Sequence, residues 1–366
     1  MNRHVRTGSP ESPAHATGAR DAEPGPGGLS LLVVIPALNE EQTVGQVIEC
    51  VPRDIPGIGL VEVLVVDDGS KDCTAEKAER AGAHVIRHPS TRGVGGAFHS
   101  AVAYGLDRGA DLIVSIDADG QFDPADIPTL IAPVVAGRAD FATASRFKDR
   151  ALTPHMPRVR LWGNRLMSAF ISHLTGQRFY DVSCGMRCYD RRAALQLYLL
   201  ARFTYTQEVF LNLAYRQVPI VEVPIRVRGQ REVGRSRVAG NLWRYAFRTA
   251  AIIVRSYRDY RPLRFFGTLA VGWLAAAAGL GGFFALHYVR TGQFRPHTWA
   301  GVSAGACFGL AVLMLHLGVV GDMLNRHRVY LEELLYRVRE LAPQRRRSAT
   351  VKTGAVDASV ASELPR

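Results

Sequence analysis

The chain has 366 residues, of which 47% are hydrophobic and 21% are charged, and its formal net charge is +12. This composition excludes a collagen-like protein, a fully disordered chain and a disulfide-stapled miniprotein, and the length is that of one large domain with an addition, or of two domains. A strong excess of Lys and Arg is typical of proteins that meet an anionic partner, such as nucleic acid, lipid headgroups or a phosphorylated substrate.

Both ends of the chain are polar. Residues 1–29 are rich in Gly, Pro, Ala, Ser and His, and we predict a disordered tail because they bury too little apolar surface to offset the entropy of ordering. No apolar segment follows Met1, so no secretory signal peptide is expected. Residues 342–366 are predicted to be a second disordered tail. The cysteines show no zinc spacing and are expected to be reduced, small buried thiols: Cys50, Cys73, Cys184, Cys188 and Cys307.

Residues 31–143 alternate short apolar runs with longer mixed segments, which predicts an α/β domain with a parallel sheet and helical crossovers. The predicted strands are Leu31–Pro36, Val61–Val66, His84–Arg87, Leu112–Ile116 and Phe141–Thr143. The predicted helices are Glu40–Val51, Thr74–Ala81, Val94–Arg108 and Pro124–Ala136. Ligands in such sheets bind beyond the carboxyl ends of the strands, so polar residues at those ends are the candidate site.

Polar clusters follow three of these strands, namely Pro36–Glu40, Asp67–Ser70 and Asp117–Gln121. Asp117 and Asp119 are one residue apart and project similarly from an extended backbone, where their repulsion favours a bound cation. Carboxylate oxygens are ligands that suit Mg²⁺ or Mn²⁺. Single aspartates at such places are often caps or turn formers, which is our interpretation of Asp72 and Asp123.

Two later segments, Phe265–Tyr288 and Trp299–Val320, contain no Asp, Glu, Lys or Arg over 24 and 22 residues. Each is long enough to cross a bilayer of about 30 Å, and the short connector predicts a transmembrane hairpin. The alternative is a pair of buried helices in a soluble core. Arginines are denser outside the hairpin than in its connector, which predicts that both termini and the preceding domain are cytoplasmic.

The segment 226–264, just before the first span, holds eleven Arg, one Glu and one Asp. We predict a basic amphipathic helix over 236–262 that lies at the headgroup plane, with a solvated helix face as the alternative. Nucleic acid is not expected as a partner, because the basic segment adjoins membrane spans and no nucleic-acid motif is found. Gly301, Gly305 and Gly309 recur every fourth residue and favour close helix packing, within the hairpin or in a homo-oligomer.

The motif order Pro-x-x-Asn-Glu, Val-Val-Asp-Asp-Gly-Ser and Asp-Ala-Asp-Gly-Gln resembles family 2 glycosyltransferases of the GT-A fold. Later motifs resemble polyprenyl-phosphate sugar transferases, most closely the dolichyl-phosphate mannosyltransferases: Ala144-Ser145-Arg146, Asp181–Arg187 and Arg231–Arg237. The resemblance covers about 31–260. It implies a GT-A domain at 30–235 with a Rossmann-like, mostly parallel sheet, followed by the interfacial helix, the hairpin at 263–322 and a cytoplasmic helix at 323–341.

The resemblance also implies roles for single residues. The nucleotide-sugar would be bound by Pro36, Leu38, Glu40, Asp67, Asp68 and Asp117. The metal that bridges its phosphates would be held by Asp119, with Asp117 and Gln121 as further ligands. Phosphate of the acceptor or of the leaving nucleotide would be bound by Arg146, Arg187, Arg231, Ser236 and Arg237, and the catalytic set would be Asp117, Asp119 and Arg187. The chain departs from the family pattern at Leu38, where an aromatic is common, at Arg92–Gly96, which lacks a Lys, and at Arg237, which replaces a Lys.

The implied activity is inverting transfer of a sugar, with mannose favoured, from a nucleotide-sugar to a polyprenyl or dolichyl phosphate, assisted by Mg²⁺ or Mn²⁺. A lipid phosphate is already anionic, so its attack needs little base assistance, and Glu208 is the spare carboxylate that a hydroxyl acceptor would require. The alternatives are transfer of UDP-glucose or another UDP-sugar to polyprenyl phosphate or a glycan, and a membrane scaffold with an inactive transferase domain. A processive synthase is disfavoured because the chain lacks a Gln-x-x-Arg-Trp motif.

Overall fold

The computed structural model describes residues 28–154, 156–197, 206–228, 251, 254–255 and 257–361. Its strands are β1 (Leu29–Ala37), β2 (Ile58–Asp67), β3 (His84–Arg87), β4 (Leu112–Ser115), β5 (Phe141–Ser145), β6 (Arg187–Asp190) and β7 (Ile220–Pro224). Its helices are α1 (Val44–Glu49), α2 (Thr74–Arg80), α3 (Val94–Arg108), α4 (Ile127–Val135), α5 (Arg158–Thr175), α6 (Arg191–Leu195), α7 (Thr206–Tyr215), α8 (Pro262–Thr291) and α9 (Thr298–Ala361).

The seven strands form one sheet in the order β3-β2-β1-β4-β6-β5-β7. Every neighbouring pair is parallel except the two pairs that involve β6, which runs antiparallel to β4 and to β5. The carboxyl ends of β1, β2, β4, β5 and β7 therefore share one edge with the amino end of β6, and we call this edge the rim. The predicted mostly parallel α/β sheet is confirmed.

Alternation along the strands builds a core on each face of the sheet. In β1, Val33 and Ile35 join an apolar cluster with α1 and α4, whereas Leu32 and Val34 join a second cluster with α3, α6 and α7. Successive strand side chains point to opposite faces, and helices cover both faces. This double burial explains why the first strands appear in the sequence as nearly unbroken apolar runs.

The carboxyl-terminal region contains two helices that are long and apolar enough to cross a membrane, Pro262–Thr291 and Thr298–Leu341. They pack against each other as a hairpin in which Gly301 lies under the Phe284 ring, so that a Cβ there would come within 2.9 Å of the ring. A Cβ on Gly305 or Gly309 would meet nothing within 4 Å. Of these three glycines, Gly301 alone is in close contact with the other helix, and the contact between copies stays a prediction.

Three predicted segments differ from the structure or lie beyond its description. Helix α9 continues without a break to Ala361. The tail predicted to be disordered from residue 342 is therefore helical up to Ala361. Extending an existing helix costs far less than starting one, because each added residue brings its own hydrogen bond. Residues 1–27 and most of the predicted interfacial helix at 236–262 lie outside the described residues.

Candidate active site at the rim of the sheet

The loops that follow β1 and β2 are bound to each other at the rim. The Asn39 backbone adopts a left-handed conformation with φ of 50°, which Asn tolerates better than most residues. Its side-chain oxygen accepts a hydrogen bond from the Lys71 N–H at 2.7 Å, and its own N–H donates to Ser70 Oγ at 2.8 Å. This double link holds the half-buried Pro36, Leu38 and Glu40 segment against the loop after Asp67.

Asp67 ends β2 and is 5% exposed. Its Oδ1 accepts a hydrogen bond from the Ser70 N–H at 2.9 Å, which shapes the turn around Gly69. The register places Asp67 opposite Ala37, so the residues predicted to bind the nucleoside share one corner of the rim.

Asp68 organises the loop before α3. Its carboxylate accepts hydrogen bonds from the N–H groups of Arg92 at 2.9 Å and Gly93 at 2.7 Å. It also lies 2.7 Å from His88 Nδ1, while His88 Nε2 lies 2.9 Å from Ser100 Oγ on α3. His88 is buried and was missed in the sequence, where a single His after a short strand gives no signal. Asp68 therefore positions this loop, and its contact with the donor stays a prediction.

The paired carboxylates follow β4 at the centre of the rim. Asp119 is buried, and its Oδ1 accepts a hydrogen bond from the Gln121 N–H at 3.1 Å. Asp117 is half-buried and lies directly against Gly185, just before β6. A Cβ on Gly185 would come within 2.5 Å of Asp117 Oδ2, so only glycine leaves room for this carboxylate. Sequence reasoning placed the two aspartates correctly but gave no role to Gly185.

Gln121 is engaged with the segment that leaves β7. Its side-chain amide donates to the Arg228 carbonyl at 3.2 Å, and the Arg228 N–H donates to the Gln121 carbonyl at 3.0 Å. The arginine-rich segment 226–264 therefore starts close to the loop that carries Asp119 and Gln121. Of the residues predicted to bind phosphate, Arg231, Ser236 and Arg237 lie outside the described residues.

The donor set at this point fits a divalent cation that arrives with its substrate. No group of three or more His, Cys, Asp or Glu side chains suited to a metal is found in the described part of the chain. Mg²⁺ is commonly held by one or two carboxylates together with substrate phosphates and water, and the chemistry of Asp117 and Asp119 matches that mode. These residues would hold the cation only together with a nucleoside diphosphate.

Arg146, predicted to bind phosphate, forms a bidentate ion pair with the buried Asp181. Its Nε and Nη2 donate to the two carboxylate oxygens at 2.7 and 2.8 Å. Burial opposes the charge, yet the contact with Asp181 prevails and raises the pKa of Arg146 above its ordinary value. The Asp181 N–H in turn donates to Glu222 at 2.7 Å. Arg146 thus fixes the loop that leads to Gly185.

Arg187 requires a correction. It was predicted to be a catalytic, phosphate-binding residue, but its side chain is fully buried. Nε, Nη1 and Nη2 donate to the carbonyls of Cys184, Thr206 and Val182 at 2.8, 2.9 and 3.1 Å. The guanidinium also lies 5.2 Å from the centre of the Phe210 ring. Arg187 begins β6 at the rim, but its side chain is buried in the core, where it holds the 182–184 loop in place.

Glu208 is buried in the first turn of α7. Cys184 and Cys188 are buried as expected, and burial raises the pKa of Cys184 to about 12. The same expectation is wrong for Cys50 and Cys73, which are exposed because both lie at the ends of short surface helices.

The chain is similar in sequence to known glycosyltransferases. The sequence profile of Glycosyl transferase family 2 matches residues 32–197. The polyprenol monophosphomannose synthase of Mycolicibacterium smegmatis is 31% identical over 62% of this chain and 88% of its own length. The UDP-N-acetylglucosamine–dolichyl-phosphate N-acetylglucosaminyltransferase of Methanococcus voltae is 28% identical over 54% of this chain and 84% of its own length.

Among solved structures, the glucosyl-3-phosphoglycerate synthase of Mycobacterium tuberculosis, in complex with Mn²⁺, UDP-glucose and phosphoglyceric acid, has a TM-score of 0.51. It is 23% identical, and the match covers 63% of this chain and 80% of the synthase. This likeness supports the GT-A fold. With the paired carboxylates at the rim and a relative matched over most of its length, the protein belongs to glycosyl transferase family 2 and is a glycosyltransferase.

Proposed function

We propose that this glycosyltransferase moves a sugar from a nucleotide-sugar to a polyprenyl phosphate at a membrane surface. The observation that carries the proposal is the placement of Asp117 and Asp119 at the rim, next to the corner formed by Pro36, Leu38 and Asp67, in a chain with two long apolar helices. The names of the two relatives, both of which include a polyprenol or a dolichyl phosphate, support this class of acceptor.

In this proposal the nucleoside lies in the corner between the loops after β1 and β2, and its diphosphate extends toward Asp119. A divalent cation bound there supplies charge neutralisation for the departing nucleoside diphosphate. Asp117, confined by Gly185, orients the sugar end of the donor. An acceptor that attacks from the side opposite the diphosphate inverts the anomeric centre.

The acceptor phosphate needs no general base, because it is already ionised near neutral pH. Positioning and charge stabilisation are therefore the main tasks of the protein. Arg146 and Arg187 are engaged with protein groups, so we assign phosphate binding to Arg231, Ser236 and Arg237. Support comes from Arg228, whose backbone is bound to Gln121 beside Asp119 three residues before Arg231.

The orientation of the protein in the membrane is inferred from its apolar helices and the arginines that flank them. The two apolar helices would span the bilayer, and the arginines that flank the pair would hold both termini and the catalytic domain on the cytoplasmic side. Mannose is the favoured sugar. An N-acetylglucosamine donor is the second candidate, because the M. voltae relative is named for that transfer.

A donor screen tests the proposal. The full-length protein is reconstituted in vesicles with a polyprenyl phosphate and Mg²⁺ or Mn²⁺, and GDP-mannose, UDP-glucose and UDP-N-acetylglucosamine are supplied as radiolabelled donors. We expect label in the lipid phase from one donor, with loss of transfer after chelation. Absence of lipid-phase label from every donor, together with label in a soluble or glycan product, would reassign the acceptor. Absence of any product would favour an inactive scaffold.

A further inference from the structure

Helix α5 exposes an apolar stripe on the surface of the catalytic domain. Val159, Trp162, Leu166 and Phe170 are 64%, 67%, 54% and 42% exposed. At 3.6 residues per turn these four positions fall within a sector of about 80° on one side of the helix. Large apolar side chains that share one exposed helix face are typical of a surface that meets another apolar phase.

The sequence that contains this stripe is positively charged. Residues 150–180 contain five Arg and no Asp or Glu. Arg158 and Arg165 are exposed on α5 itself. A helix with a bulky apolar face and flanking arginines fits the boundary between acyl chains and anionic headgroups, where Arg stems lie along the apolar surface and the guanidinium groups meet phosphate.

The opposite face of α5 is bound to the loop that leads to the active site. Ser168 Oγ accepts a hydrogen bond from the Val182 N–H at 3.3 Å, and Asn164 Oδ1 accepts one from Ser183 Oγ at 3.1 Å. This loop continues directly to Gly185, which confines Asp117. Short contacts therefore connect α5 to the loop that confines the Asp117 carboxylate.

The same helix is connected to the base of the membrane hairpin. At its carboxyl end the Leu174 carbonyl accepts a hydrogen bond from Tyr215 Oη at 3.4 Å. The Tyr215 ring lies 4.8 Å from that of Tyr260, centre to centre, two residues before α8 begins. One layer of side chains thus joins α5 to the point at which the chain would enter the bilayer.

From this placement we propose that the Val159, Trp162, Leu166 and Phe170 face of α5 docks on the lipid bilayer, with anionic headgroups around Arg158 and Arg165. Docking would hold the rim at the membrane surface, so that a lipid-linked phosphate reaches Asp117 while its chain stays in the bilayer. The benefit to acceptor use rests on the proposed function, whereas the docking itself requires only that the protein is membrane-bound.

The first test locates Trp162 without any use of activity. The full-length protein and Trp162→Phe are reconstituted in phosphatidylcholine–phosphatidylglycerol vesicles, and their difference in fluorescence reports on this indole alone. We expect the Trp162 emission to be quenched by lipids brominated near the glycerol backbone and protected from aqueous iodide. Quenching by iodide and not by brominated lipid would overturn the proposal.

The second test compares two leucines of equal exposure. Leu166 on α5 and Leu60 at the start of β2 are both 54% exposed, and Leu60 lies at the end of the sheet opposite the rim. Leu166→Glu is expected to lower transfer to a long-chain polyprenyl phosphate in vesicles on the order of tenfold, because it places a charge where an apolar side chain was buried in lipid. Leu60→Glu is expected to change it by less than about twofold.

A short-chain, water-soluble polyprenyl phosphate separates docking from catalysis. We expect Leu166→Glu to retain transfer to this acceptor, and an equal loss on both acceptors would contradict the docking role. If the wild type transfers sugar to neither acceptor, the proposed function fails while the fluorescence result still decides the docking. If Trp162 is exposed to water and transfer is normal, the docking fails and the proposed function stands.

Discussion

Single residues at the rim combine a chemical role with a local structural one. Asp119 accepts a hydrogen bond from the Gln121 N–H, and Asn at this position keeps an oxygen for that bond while it removes the charge. We expect Asp119→Asn to lower kcat on the order of a hundredfold or more and to raise the metal concentration required, because the leaving diphosphate loses charge stabilisation. The measurement is turnover across a Mg²⁺ or Mn²⁺ titration.

The matched control is Asp123→Asn. Asp123 is exposed and its Oδ1 accepts a hydrogen bond from the Ala125 N–H at 3.0 Å, as a helix cap. Because Asn caps a helix about as well as Asp, this variant should keep both its stability and its metal dependence. Wild-type turnover of Asp119→Asn at limiting metal would contradict the assignment.

Gly185 tests whether Asp117 has to occupy its observed position. Gly185→Ala places a methyl group within 2.5 Å of Asp117 Oδ2, so the carboxylate has to move. We expect turnover to fall on the order of tenfold or more, since small displacements of catalytic groups are costly. Gly45→Ala on α1 is the control, because its Cβ would meet nothing within 4 Å and should raise helix stability by up to about 1 kcal/mol. Full activity of Gly185→Ala would show that Asp117 tolerates displacement.

At the scale of elements, the loop between β3 and α3 depends on a buried contact between Asp68, which follows β2, and His88, which follows β3. The Asp68 carboxylate contacts His88, Arg92 and Gly93, and His88 extends this network to Ser100. His88→Ala leaves the buried Asp68 without one partner, which we expect to cost about 1–3 kcal/mol of stability. The displaced loop should also raise the KM for the nucleotide-sugar.

The control for this element is His84→Ala, since the His84 side chain is 53% exposed in a long contact with Glu62. It should change neither the unfolding midpoint nor the KM. Equal behaviour of the two variants in chemical denaturation and donor kinetics would rule out a special role for the His88 contact.

Strand β7 supplies a second element-scale prediction through Glu222. Burial raises the pKa of Glu222 above its ordinary value of 4.5, against the opposing hydrogen bonds from the N–H groups of Tyr180 and Asp181. The folded state then holds its proton more tightly than the unfolded state, so this contribution to stability is complete below pH 4.5 and is lost as the pH rises through the folded-state pKa. The stability of the wild type relative to Glu222→Gln should fall over that interval in thermal melts. A relative stability that rises with pH would contradict this sign.

At the scale of the whole molecule, a charged and aromatic junction joins the catalytic domain to the two long apolar helices. Glu332 on α9 is buried between Arg216, which follows α7, and Arg328, whose Nε donates to it at 2.6 Å. Arg328 also donates to Tyr260 Oη at 2.9 Å, and Asn212 reaches the same hydroxyl at 2.7 Å. Three parts of the chain that are distant in sequence therefore meet at one point.

Glu332→Gln should loosen this junction. It leaves two partly buried arginines without their carboxylate, and we expect a loss of about 1–3 kcal/mol, less than for a fully buried pair because both arginines keep some contact with water. Faster proteolysis between the domain and α8 in detergent micelles is the measurement. Glu333→Gln is the control, since its pair with Arg337 is exposed and should contribute less than about 0.5 kcal/mol. Equal proteolysis of both variants would show that the junction is not required.

Features that depend on neighbours along the chain could be predicted from the amino-acid sequence alone. The apolar runs of β1, β2 and β4 fixed the parallel sheet, because strands buried on both faces have few polar residues. The position of Asp117 and Asp119 after β4 then placed the carboxylates at the rim. The two charge-free segments fixed the apolar hairpin, because their length and composition are local properties.

Which charged groups remain available for chemistry depends on the packed fold and could not be predicted from sequence patterns. Arg146 and Arg187 belong to motifs that indicate phosphate binding, yet one is paired with Asp181 and the other with the carbonyls of a buried loop. Asp68 and Gly185 gained their roles from partners that no local pattern connects to them. The physical reason is that a buried polar group takes whichever partners the packed fold brings within hydrogen-bond reach, and sequence spacing does not report those distances.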